Sequence, residues 1–271
     1  MGDGMSVWKA ICYFAMLLIS FWTLLPIIFI ALGTFTPPLE LYKWPKPIIP
    51  SHFTLESFLN FAQAYGVMDA LRNSILAAAI TVILSIAIGT PAGYALARFK
   101  FKGKDTFRIG ILITRMFPIA VLSIPLATLY IQTGLYDTVL GVAFIHTVFA
   151  YPFSILISMS IFASIPKDFE EAAMVLGCSR LQAFWHVVLP LAAPGLAATA
   201  IFSFVISWNE VFAASILTLY NRTLPALIVS RLEAPRLDFL FASGFFMILP
   251  AIIFIYIVRK QLLRMWGIAV K

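Results

Sequence analysis

The sequence predicts an all-α polytopic membrane protein, six transmembrane helices in a single domain over residues 1–271. Three observations carry the prediction. Hydrophobic residues fill 62% of the chain and charged residues only 11%, where a soluble domain of this size would carry about 25% charge. The apolar residues fall in runs that reach the about 20 positions needed to cross a bilayer. Those runs lack the alternation of barrel strands, so in lipid their backbone groups must pair within helices.

The first run, Trp8 to Leu32, is too long for a signal-peptide core and has no small-residue cleavage site, so it reads as a retained span. A loop from Gly33 to Ala70 follows, held extended by Pro37, Pro38, Pro45, Pro47 and Pro50. Within it Thr54 to Tyr65 predicts a short surface helix with Phe58, Phe61 and Tyr65 on its apolar side. The second span is Leu71 to Ala97, where Gly89 and Gly93 permit close helix approach. Arg98 to Lys104, with Arg108, is the most basic loop and belongs in the cytoplasm by the positive-inside rule. The third span is Thr106 to Ile131, interrupted by Pro118 and Pro125, and the fourth is Val139 to Phe162. The fifth runs from Pro190 to Leu219 and the sixth from Phe239 to Val258. On this topology twelve Lys and Arg lie inside and six outside, with Arg115 within a span, which places both termini in the cytoplasm.

The net charge of +7 is therefore a property of the inner loops and implies no nucleic-acid partner. Cys12 and Cys178 carry no redox signal, and His52, His146 and His186 lack ligand spacing. No G-x-x-x-x-G-K-[ST] occurs, so ATP is not held by a P-loop. Neither a metal motif nor a Ser/His/Asp set is placed. The expectation is a chain that is not an enzyme and binds no cofactor.

Ile165 to Pro190 stands apart. It holds Lys167, Asp168, Glu170, Glu171, Arg180 and His186, too many polar groups to cross a bilayer cheaply. Asp168 as N-cap with Glu171 three residues later predicts a helix start, and Gly177 predicts its end or bend. Phe169, Ala172, Ala173 and Leu176 then share one apolar face that needs a partner to cover it; a capped helix lying on the membrane surface is the alternative.

Glu171-Ala172-Ala173, three residues, Gly177, nine residues, then Val187-Val188-Leu189-Pro190 resembles the EAA signature of bacterial ABC-importer permeases, with Val187 in place of its isoleucine. The resemblance implies a cytoplasmic coupling helix between the fourth and fifth spans that sits in a groove of an ATPase subunit. Phe169, Glu170, Glu171, Ala172, Ala173, Leu176, Gly177, Leu189 and Pro190 are the residues it assigns to coupling.

Two polar groups lie within spans. Arg115 would line a transport pathway, or pair with Glu210 of the fifth span, or snorkel. Trp208-Asn209-Glu210 would offer an indole face and hydrogen-bonding groups to a sugar, or fix helix packing. Arg115-Met116-Phe117-Pro118 is similar to the Met-Phe-Pro segment of carbohydrate permeases, and Trp208-Asn209-Glu210 to their W-N-[DE] segment. The maltose-type shorter permease is the family resembled most. That implies translocation of a di- or oligosaccharide across a prokaryotic inner membrane. It also implies an ABC ATPase dimer that binds ATP and Mg, a second, unlike permease and an extracytoplasmic sugar-binding protein. The family's tail reaches into the ATPase dimer; Met265 to Lys271 keeps Gly267 and Lys271 but lacks its further glycines.

Overall fold

The computed structural model describes residues 7–45, 48–232 and 236–265, and among these it is helical with no strand. The expected tail beyond Met265 lies outside the described residues. The helices are α1 (Val7–Phe35), α2 (Glu56–Gln63), α3 (Val67–Arg98), α4 (Lys104–Ile113), α5 (Ile119–Gln132), α6 (Val139–Ser164), α7 (Asp168–Val175), α8 (Arg180–Ala183), α9 (Leu189–Asn209), α10 (Phe212–Leu217), α11 (Leu224–Ser230) and α12 (Leu237–Met265).

Among the described residues five helices are long and apolar enough to cross a membrane, or six crossings if α4 and α5 count together as one. The third span, expected to be interrupted by Pro118 and Pro125, is broken at the first of these, and its two halves meet at 92°. Phe117, extended at φ −72° and ψ 118°, precedes Pro118, whose ring excludes the helical region for the residue before it. Pro125 stays inside α5. The fifth span is also redrawn. Its helix begins at Arg180 rather than Pro190, and it breaks at Glu210, where the backbone is extended.

The chain divides into two compact units. In the first, 1–67 with 231–249, α1 meets the first half of α12. A Cβ on Gly33 would fall 2.4 Å from the Phe241 ring, and the Thr34 hydroxyl donates to the Phe241 carbonyl at 2.9 Å. Phe58 stacks on Phe246 with centroids 4.7 Å apart, and Phe61 meets Phe239 edge-on. Tyr65 does not join them as expected, because α2 ends at Gln63 and the ring is left exposed. After α1, the Glu40 carboxylate accepts from both the hydroxyl and the backbone N–H of Ser51.

In the second unit, 68–230 with 250–271, α6 packs along α9, with the hydroxyls of Ser154 and Ser203 3.1 Å apart. The paired glycines of α3 lie against α6: a Cβ on Gly89 would be 2.8 Å from the Ser154 Cβ, and one on Gly93 2.6 Å from that of Ser158. This is the close approach that the GxxxG spacing predicts.

Candidate functional site

Between α6 and α9 the chain leaves the apolar helices and forms α7, a left-handed turn and α8. The helix start differs from expectation. Lys167, not Asp168, is the N-cap, and its carbonyl accepts from the N–H groups of Glu170 and Glu171. Asp168 and Glu171 therefore form no capping box. The reason is that Lys167 already has helical angles, φ −67° and ψ −22°. The acids in the first turn still oppose the helix dipole favourably. A capping box does occur downstream: the Ser179 hydroxyl accepts from the Gln182 N–H, and the Gln182 side chain accepts from the Ser179 N–H.

Gly177 ends α7 as its spacing predicts. It sits at φ +97°, with its N–H on the Met174 carbonyl and the Cys178 N–H on the Ala173 carbonyl. This double bond pattern closes a helix and reverses the chain.

The faces of α7 are unequal. Phe169, Ala172, Val175 and Leu176 are exposed, the last two at 87% and 86%, while Ala173 is buried. Four apolar side chains thus project from a short helix, and nothing among the described residues covers them. Glu171 is exposed beside them. Glu170 is not on that face. It is only 5% exposed, and its carboxylate accepts from the Tyr94 hydroxyl and from Arg98 Nε at 3.1 Å. Adjacent helical residues differ in direction by about 100°, which sends one glutamate inward and the other out.

Beneath α7 lies a core of Tyr94, Phe162, Phe184, Val188, Ala192 and Leu196, with Leu189 packed on it. Phe184 to Val188 form a π-turn that joins α8 to α9, closed by the Leu189 N–H on the Phe184 carbonyl. Pro190 follows the π-turn directly and has no N–H to give to the turn before it, so the ladder is interrupted where the π-turn passes into α9.

The second pair of expected sites separates. Arg115, Met116, Phe117 and Pro118 are exposed at the bend between α4 and α5. Arg115 stacks its guanidinium 3.9 Å from the centre of the Phe153 ring. With Phe117 it lines a cleft of about 510 Å³ between the α4–α5 bend and α6, walled by Leu126, Tyr130 and Phe149 among others. The alternative pairing with Glu210 is not formed. Glu210 instead faces His146 Nε2 at 3.2 Å and accepts the N–H groups of Ala213 and Ala214, capping α10.

Trp208 offers no free indole face. It is 2% exposed and stacks on Phe204, so Trp208, like Glu210, is committed to holding the helices together. Asn209 is exposed, with its amide donating to the Val205 carbonyl. Sequence reasoning missed His146, whose Nδ1 lies 2.8 Å from the Ser207 hydroxyl. The available signal was an imidazole in the middle of an apolar span, which calls for a polar partner on a neighbouring helix.

These features can be set beside known proteins. Residues 89–265 match the family of binding-protein-dependent transport system inner membrane components. The chain is 30% identical over 251 residues, 91% of each chain, to the diacetylchitobiose uptake system permease protein DasC of Streptomyces coelicolor. It is 32% identical to the trehalose transport system permease protein SugB of Mycobacterium tuberculosis, over 79% of this chain and 81% of that one. In fold it resembles a chain of a bacterial ABC transporter that imports the acidic polysaccharide alginate, with a TM-score of 0.76 at 22% identity, covering 97% and 98% of the two chains. A chain of the methionine ABC transporter MetNI aligns with a TM-score of 0.58 at 19% identity, over 73% of this chain and 99% of that one. With α7 and its closing glycine inside the matched region, the chain belongs to the inner membrane components of binding-protein-dependent transport systems.

Proposed function

We propose that this chain is the permease subunit of an ATP-driven importer whose cargo is a sugar of di- or oligosaccharide size. The observation that carries the reading is the bare apolar face of α7, Phe169, Ala172, Val175 and Leu176, set at EAA spacing between two spans. A separate ATPase dimer covers that face and holds ATP and Mg, since this chain has no P-loop. Sugar as cargo is supported by the diacetylchitobiose and trehalose named for its relatives. An extracytoplasmic sugar-binding protein delivers it, and a second, unlike permease completes the passage. The α7 segment and the basic loop after α3 share one side, joined through Arg98, and that side is the cytoplasm, with both termini.

In this mechanism closure of the ATPase dimer displaces α7 as a lever, and the spans exchange an inward-facing for an outward-facing arrangement. Arg115 and Asn209, exposed on their helices, are the polar groups of this chain placed to meet sugar hydroxyls.

The test is co-purification and uptake. A P-loop ATPase should accompany the native chain, and Leu176→Glu should abolish its capture while the chain still inserts. Uptake of a panel of di- and oligosaccharides by the reconstituted assembly should require ATP. Transport by the purified chain alone, driven by an ion gradient, would refute the reading.

A further inference from the structure

The one charged residue of α7 that turns inward does not rest on its own segment. Glu170 reaches the C-terminal end of α3, where the Tyr94 hydroxyl and Arg98 Nε both donate to its carboxylate. Arg98 uses a second nitrogen, NH2, to donate to the Ile165 carbonyl at 3.0 Å, just before α7 begins. Both partners of the ion pair are nearly closed to solvent, with side chains 6% and 7% exposed. The Tyr94 ring meanwhile lies 5.4 Å from that of Phe162 at the end of α6 and 4.6 Å from that of Phe184 in the π-turn.

A buried ion pair is a poor way to gain stability, because desolvation offsets most of its attraction. What it supplies is fixed geometry. An apolar contact can slide along a helix, whereas a carboxylate held from two directions, by a guanidinium that also grips the backbone, cannot. Farther along α3, Gly89 and Gly93 lie so close to Ser154 and Ser158 of α6 that not even a Cβ fits between.

We propose that Tyr94, Arg98 and Glu170 are positioning residues that make α7 and the cytoplasmic end of α3 one rigid body, so that a displacement imposed on α7 is delivered to α3 and, through the glycine contacts, to α6. This rests on the coupling role given to α7 above. It adds the route by which the push leaves the docking helix, and assigns Glu170 to the link rather than to the docked face.

The experiment uses the purified assembly with its ATPase, with Cys12 and Cys178 replaced by serine. Spin labels at Lys100→Cys and Lys167→Cys, both exposed positions, report the distance between the end of α3 and the start of α7. In the native background that distance stays the same without nucleotide and with ATP, Mg and vanadate. With Glu170→Gln or Arg98→Gln it shifts or broadens between the two states. A thiol at Met68→Cys, exposed near the opposite end of α3, changes its maleimide reactivity on adding ATP and vanadate. Glu170→Gln reduces that change about tenfold while ATP hydrolysis continues. A native distance that alters between states overturns the proposal, as does a Glu170→Gln assembly with an unaltered distance or an undiminished Met68 response. Where Glu170→Gln does not assemble, Arg98→Lys carries the test, since an ammonium keeps the charge but cannot hold Glu170 and the Ile165 carbonyl together. Absence of any co-purifying ATPase would refute the coupling role itself, a separate result from a latch that proves loose.

Discussion

His146 Nε2 stands 3.2 Å from the Glu210 carboxylate, and its Nδ1 stands 2.8 Å from the Ser207 hydroxyl. One imidazole on α6 thus pins α9 where its helix breaks, while the same carboxylate caps α10. Replacing His146 by alanine leaves Glu210 buried without its side-chain partner and should cost about 3 kcal/mol. Ser207→Ala, which removes a single neutral bond, should cost about 1 kcal/mol. Unfolding midpoints of the detergent-solubilised chain would check both, and equal losses would mean that Glu210 is not what His146 holds.

Gly177 tests the turn after α7. Nothing lies within 4 Å of a Cβ added there, so bulk is not the obstacle; the backbone angle is. A β-branched residue at φ +97° is strained by about 1–2 kcal/mol. Gly177→Val should therefore uncouple ATP hydrolysis from uptake while membrane insertion is unchanged. Gly177→Asn, which tolerates left-handed angles, should lose far less. Unchanged uptake by the valine variant would count against α7 as a lever.

Gly93 tests the α3–α6 contact. An added methyl would meet the Ser158 Cβ at 2.6 Å and the Met159 backbone nitrogen at 2.7 Å, neither of which is a flexible side-chain end. Gly93→Ala should destabilise by about 1–3 kcal/mol through forced separation of the helices. Gly110→Ala, inside α4 with no atom within 4 Å, should stabilise by about 0.5–1 kcal/mol through helix propensity. Thermal unfolding of the pair separates crowding from the general effect of adding a methyl to a helix.

Glu40 gives the first unit a pH dependence. Hydrogen bonds from Ser51, first from its side chain and then its backbone, outweigh desolvation and hold the carboxyl below its ordinary value of 4.5. A carboxyl depressed in the folded state contributes stability above its unfolded pKa and loses it as pH falls through the folded one. The loop should thus stay closed at neutral pH and open only on the acid side of 4.5. Ser51→Ala should move that opening toward the ordinary value. Fluorescence of Trp44, in a variant with the other tryptophans replaced, would follow it; identical titrations would refute the role of Ser51.

The spans were legible because their information is one-dimensional. An apolar run of sufficient length has a single low-energy fate in lipid. Gly177 and the Gly89–Gly93 pair were legible for a related reason, each answering a local backbone or size constraint. Direction was not. Glu170 and Glu171 are adjacent and identical, and which faces inward depends on where α3 places Tyr94 and Arg98. Trp208 could serve a sugar or a core equally well until Phe204 was seen beneath it. Pro118 announced an interruption, but a right-angled bend needed the extended Phe117 as well.

The π-turn from Phe184 to Val188 holds one residue more than an α-helix would use over that arc. Because the turn winds its residues wider, it absorbs the extra one, and deleting a single residue from it would restore regular winding with α8 near the same azimuth about the axis of α9. A three-nucleotide deletion should thus be borne better within this turn than in the regular winding of α9, where each lost residue swings everything upstream by about 100°.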